Sequence, residues 1–207
     1  MSRLGEFGLE HLMRNDCALW RVSVLTKGVL LLSTGLFGLL VSWTNLIAYD
    51  MNFAFVQHVL SMDTLQPWAQ SEALMRRALV SPDVHRWAYA AIIAAEMLMG
   101  LLCLVSGLLF IPMVWHGRTR YLLRAKVFAL AGLGLGVMIW YLGFAVIGAE
   151  YFAMWANQWN GQTTAYLFSG VLLLSMMYVA QPEPSVGSVS QVDGMLDTSV
   201  KDGQSAP

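Results

Sequence analysis

Twenty-three consecutive residues, Val127 to Ala149, carry no charge, and neither do the twenty from Val29 to Ala48. At ~1.5 Å of rise per residue, a helix of either length crosses ~30 Å of hydrocarbon. Two further runs are similar: Trp87 to Ile111 holds one acid, Glu96, and Thr163 to Ala180 holds none. One such helix can be the buried core of a soluble protein, but 207 residues enclose no interior able to hide four. Composition agrees, with 57% hydrophobic and 12% charged residues. The expected fold class is all-α, a four-helix transmembrane bundle with spans at about 28–48, 87–111, 127–149 and 163–180, and with the lipid bilayer as its partner.

Basic residues set the expected orientation. Arg3, Arg14, Arg21 and Lys27 precede the first span, and Arg118, Arg120, Arg124 and Lys126 separate the second from the third. The positive-inside rule places both segments in the cytoplasm. In the connection from Tyr49 to Arg86, three basic residues are offset by Asp50, Asp63, Glu72 and Asp83, and Glu150 to Gln162 has no basic residue, so these two face outward. Both chain ends are then inside.

Residues 1–26 are too charged for the apolar part of a secretory signal. Leu9, Leu12, Met13, Leu19 and Trp20 instead suggest an amphipathic helix on the inner membrane surface. The first span is read as an uncleaved anchor, because no small-residue cleavage site follows it. Within it Gly28, Gly35, Gly38, Ser42 and Asn45 share one helical face, where small residues admit a close neighbour. Asn45 carries an amide that must find a partner in lipid. In the first outer loop, Phe53, Phe55, Val56, Val59, Leu60 and Met62, interrupted by Asn52, His58 and Asp63, suggest an interfacial or re-entrant helix across the bundle mouth. The remainder, with Pro67, Pro82, Arg76 and Arg77, reads as a connection near the headgroups. Residues 181–207 contain little bulk to bury and read as a disordered tail.

Glu96 is the most costly residue to place. A carboxylate near the bilayer interior costs on the order of 3 kcal/mol unless protonated, paired or wet, so it must face the bundle. Its helical face, with Tyr89, Ile93, Gly100, Cys103 and Gly107, is small and partly polar. In the third span Gly132, Gly136 and Gly143 form a similar stripe, and seven residues beyond Gly143 the same α-helical face arrives at Glu150. Asn45, Glu96 and Glu150 are therefore expected to converge in one outward-opening polar cavity. The following loop adds Tyr151, Phe152, Met154, Trp155, Asn157, Trp159, Asn160 and Gln162. An interfacial belt accounts for aromatic residues there but not for the amides, and Asn160-Gly161 signals a turn that folds the loop back over the bundle.

The stretches NLIAYDMNFAFVQHVLSMDT, Asn45 to Thr64, and GAEYFAMWANQWNGQTTAY, Gly148 to Tyr166, together with Glu96, resemble a bacterial family of predicted small integral membrane proteins of unknown function. The resemblance extends from about Leu30 to Val179. Family members usually have Trp in place of Tyr151 and Gln-Ser in place of Ala156-Asn157. The resemblance implies four spans in a bacterial inner membrane and attention to the same outward polar face, but no activity.

Several chemistries are disfavoured. Cys17 and Cys103 are poorly placed to pair, and His11, His58, His85 and His116 all lie outside the expected spans, which disfavours a bis-histidine haem. No phosphate-cradling glycine loop or nucleophile elbow occurs, and a net charge of -1 leaves no nucleic-acid footprint. No cofactor is expected. The candidate ligand-binding residues are Asn45, His58, Asp63, Glu96, Glu150, Trp155 and Asn160, for a small solute, ion or proton. A second class is an accessory subunit packing against another membrane protein or another copy of itself. The third is a quinone-linked or metal-dependent enzyme using His58, Asp63 and Glu150, although the chain lacks a recognisable catalytic set.

Overall fold

The computed structural model describes residues 3–116 and 121–183, with 3–17, 115 and 116 as backbone alone. The chain divides into two compact units, Lys27–Gln181 and Met1–Thr26 with Pro182–Pro207. In the second of these the backbone is helical from Arg3, and the Ser23 hydroxyl donates to Glu183 Oε2 at 2.7 Å. Arg118, Arg120 and nearly all of the expected disordered tail lie outside the described residues.

The helices are α1 (Arg3–Ile47), α2 (Tyr49–Ser61), α3 (Glu72–Met75), α4 (Pro82–His116), α5 (Leu122–Val137) and α6 (Gln162–Ala180). A π-helix over Met138–Tyr151 continues α5, and 3₁₀ turns occur at Pro67–Ala69 and Met154–Ala156. Four stretches are long and apolar enough to cross a membrane: Ala18–Ile47, Pro82–Val114, Leu122–Tyr151 and Gln162–Ala180. Large apolar side chains point away from the bundle, Leu167 and Leu174 being 66% and 68% exposed. Lipid, rather than water, accounts for such a surface.

Within the larger unit, α1 meets α4 where both lack side chains. A Cβ added at Gly35 would lie 2.6 Å from the backbone nitrogen of Leu104, and one at Gly38 would lie 2.9 Å from Gly100 Cα. From the other side, a Cβ at Gly100 would come within 2.8 Å of Leu39 N. The small face expected on the first span is thus a backbone-to-backbone contact. Such proximity strengthens dispersion between helices that hydrophobic burial cannot drive together in lipid.

Further contacts set the remaining order. Gly132 and Gly136 of α5 face Cys103 and Met99 of α4, and Leu172 of α6 closes on Gly136. The Ser106 hydroxyl donates across to Ala125 O at 2.6 Å, whereas Ser169 and Ser175 satisfy themselves on carbonyls four residues back. At the end of α6, Lys27 Nζ and Lys126 Nζ both donate to Gln181 O, at 2.9 and 2.6 Å. Two ammonium groups there meet the negative end of the helix dipole and an otherwise orphaned carbonyl.

The third membrane-length segment departs from the sequence expectation. The helix is α only to Val137, beyond which hydrogen bonds reach five residues back. Seven residues then no longer make two turns, so the face bearing Gly132 and Gly136 does not continue through Gly143 to Glu150. Accordingly Gly132 and Gly136 are buried, whereas Gly143 and Glu150 are exposed.

Replacing Gly35 by Ala should lower stability by about 1–3 kcal/mol, because the new methyl meets backbone that cannot step aside. Gly134→Ala is the matched control: nothing lies within 4 Å of its Cβ position, and helix propensity favours alanine by about 0.5–1 kcal/mol. Thermal unfolding of both variants in one detergent checks the pair, and equal transitions would contradict the glycine contact.

Candidate functional site

The expected site residues fall into separate groups around one end of the bundle. Asn45 Nδ2 donates to Glu96 Oε2 at 2.7 Å, and the Tyr89 hydroxyl donates to Asn45 O at 2.8 Å. Glu96 is 2% exposed, so its carboxyl is enclosed between α1 and α4 with the amide as partner. Glu150 does not join them. It is exposed on the π-helix and lines an open hollow with Arg77 and Tyr151. The expected convergence of all three groups is therefore corrected by the change from α to π periodicity.

The two connecting segments interlock over this end. Asn157 is the hub: Oδ1 accepts from Thr64 Oγ1 at 2.7 Å and Trp159 N at 2.9 Å, while Nδ2 donates to His58 O at 3.1 Å. An antiparallel bridge pairs Leu65 with Asn157, flanked by Gln66 N donating to Ala156 O and Gln158 N donating to Thr64 O. His58 Nδ1 lies 2.8 Å from Asp63 Oδ1, and the imidazole stacks on Trp159 at 5.1 Å between ring centroids. Trp155 rests against Trp68 at 5.7 Å, and Asn160 closes its turn by donating to Trp155 O and accepting from Gln162 N. Two residues of this cap have left-handed backbone, Met62 at φ 55° and Ala153 at φ 51°. Such conformations cost an L-residue roughly 1–2 kcal/mol. Both are buried in the cluster that joins the two segments, which offsets the cost.

Beneath the cap lies a cavity of about 270 Å³. Phe55, Val56, Val59 and Leu60 of α2 form one wall, Ala88, Ala91, Ile92 and Ala95 of α4 a second, and Gly143, Phe144, Ile147 and Gly148 of the π-helix a third. Phe152 and Met154 complete it with Ile139. Gly143 and Gly148 stand five residues apart, one π-helical turn, so both omit a side chain on this wall. None of the lining residues carries a charged or hydrogen-bonding side chain. The cavity is therefore apolar, not the polar one expected, and Glu96 lies outside its lining.

The metal set considered from sequence is not assembled. His58 and Asp63 meet, but among the described residues no three His, Cys, Asp or Glu side chains are grouped to hold an ion. Sequence reading missed Asn157 as the hub, because its three partners are 93, 99 and 2 residues away. It also missed the cavity, although Ala88, Ala91 and Ala95 at helical spacing mark a face with little bulk.

Four apolar membrane-length helices, closed at one end by interlocked connections, define an integral membrane protein. The chain belongs to the family described as predicted small integral membrane protein (DUF2165), whose profile matches residues 23–182. No curated protein and no solved structure matches the chain.

Asn157→Ala should destabilise the protein by about 1–3 kcal/mol, since it removes a buried amide and leaves a half-buried hydroxyl and backbone N–H without their acceptor. Thermal unfolding in detergent measures it, and a shift no larger than that of an exposed control such as Gln57→Ala would refute the hub. A double-mutant cycle on Asn45→Ala and Glu96→Ala should give a coupling of about 0.6 to 2 kcal/mol, the range for interhelical hydrogen bonds in lipid. Strict additivity would mean that the pair does not interact.

Proposed function

We propose that this protein is a membrane binding module that takes a hydrophobic chain, an acyl or isoprenoid tail, into the cavity beneath its cap. The observation that carries the reading is the cavity itself: about 270 Å³, lined by apolar side chains. That exceeds the ~150 Å³ apolar cavity known to accept benzene, and it is close to the lower bound of ~300 Å³ typical of ligand sites. A small ion or polar solute would lose its hydration there and gain no hydrogen bond.

The cap supplies the other half of the reading. His58, Asp63 and Trp159 stand beside Phe55, whose ring meets Trp159 edge to face at 6.3 Å between centroids, so a polar rim adjoins an apolar interior. Amphiphiles match that order of surfaces. Positive-inside bias puts the opposite end, with Lys27, Arg124 and Lys126, in the cytoplasm, and the cap then serves the outer leaflet. In this reading the Asn45–Glu96 pair is a strut between α1 and α4, and Trp155 with Trp68 holds the rim at headgroup depth.

The test is photo-crosslinking in proteoliposomes containing a phospholipid with a diazirine in its acyl chain. Labelling is expected on Phe55, Ile92 and Phe144 in addition to the exterior residues Leu98 and Leu174. Gly143→Leu, where an added Cβ meets only Met138 O at 3.7 Å, projects bulk into the cavity and should cut interior labelling on the order of tenfold. Interior labelling that persists in Gly143→Leu, or labelling confined to the exterior in the wild type, would sink the proposal.

A further inference from the structure

Glu150 and Arg77 border one open hollow of about 730 Å³ without forming an ion pair with each other. No side-chain partner for Glu150 occurs among the described residues. Arg77 is held at its edge: its guanidinium lies 5.4 Å from the centroid of the Tyr151 ring, and one N–H reaches Tyr151 O at 3.4 Å. Its remaining N–H groups are available to an anion. The neighbouring Arg76 is used differently, pairing with Glu72 at 2.6 Å.

The backbone that presents Arg77 is fixed. Leu79 N donates to Leu60 O at 2.8 Å, and His85 Nε2 donates to Leu79 O at 2.6 Å. The other wall is the end of the π-helix, with Val146 and Ile147 leading along the exposed apolar face of that segment. An anion binder and a cation binder thus stand at the top of an apolar track.

We propose that this hollow holds the headgroup of a phospholipid bearing a primary amine, with phosphate on Arg77, ammonium on Glu150 and an acyl chain along Val146 and Ile147. A guanidinium fork suits phosphate oxygens, and a carboxylate accepts from an ammonium N–H. A trimethylammonium headgroup offers the same charge but no N–H, and a glycerol headgroup offers no cation. The site is separate from the apolar cavity, with which it shares the walls Ile147 and Phe152, and it does not depend on that cavity being filled.

The experiment is native mass spectrometry of the full chain released from nanodiscs containing equal phosphatidylethanolamine, phosphatidylcholine and phosphatidylglycerol. The wild type is expected to retain ethanolamine lipid over choline lipid on the order of tenfold, the worth of a charge-assisted hydrogen bond. Glu150→Gln should abolish that preference, and Arg77→Gln should reduce retention of all three lipids. Arg76→Gln, an equal change of charge outside the hollow, should alter neither. Both sites are exposed, and Gly143→Leu should leave the headgroup preference intact, which separates this site from the cavity beneath the cap. A preference that survives Glu150→Gln, an Arg76→Gln variant that behaves like Arg77→Gln, or soluble phosphoethanolamine bound as tightly as the lipid would each overturn the assignment.

Discussion

Backbone contact between α1 and α4 is the constraint from which the rest of the membrane unit follows. Lipid tails are as apolar as leucine, so burying leucine between helices yields little, and association must come from close packing and hydrogen bonds. At Gly35, Gly38 and Gly100 the two helices approach until a single methyl would collide with main chain. That proximity brings Asn45 to Glu96 and Tyr89 to the Asn45 carbonyl, so the carboxyl that is most costly in lipid finds its partner. The polar pair holds the register of the two helices near the capped end, and the glycines hold their separation along the length. Val56 of α2 then packs on Tyr89 and Ile93 of the same α4 surface.

The second determinant is the change from α to π periodicity after Val137. It turns Glu150 outward to Arg77's hollow, and it aligns Gly143 with Gly148 on the cavity wall. Both consequences come from one alteration of helical pitch. A straight α-helix of the same composition would place a different set of residues toward α4 and α6. The π segment therefore accounts for an apolar space beneath the cap and for an acid beside it rather than within it.

What could be read from sequence follows the range of the forces involved. Membrane-length helices, the glycine face of α1 and the inward orientation of Glu96 rest on local composition and α-helical spacing, and each is found. A helix between Tyr49 and Ser61 was also legible, from Phe53, Phe55, Val56, Val59 and Leu60 interrupted by Asn52 and His58. Glu150 was misplaced because spacing rules assume a constant 3.6-residue turn, and nothing in MIWYLGFAVIGAEY announces a wider one. Asn157 escaped for a different reason: its role exists only once Thr64 and His58, from a connection made much earlier in the chain, arrive beside it. The basic residues Lys27 and Lys126 were read as charge alone, yet they also complete the end of α6.

The chemistry of the capped end is ordered by depth. Apolar walls lie below, Asn157 ties the two connections above them beside the His58–Asp63 pair, and Arg77 and Glu150 stand to the side where the π-helix ends. A water-soluble ligand would meet these surfaces in an unfavourable sequence, because it must cross the interlocked cap before reaching walls that offer no polar contact. A ligand arriving laterally from the leaflet meets them in the reverse order. In the two proposed readings a chain exchanges lipid for the cavity walls at little cost, and a headgroup rests separately in the hollow beside Arg77 and Glu150. In the proposed reading, specificity lies with the headgroup, since apolar walls discriminate weakly between chains that differ by a methylene, whereas an anion binder and a cation binder side by side can discriminate between headgroups.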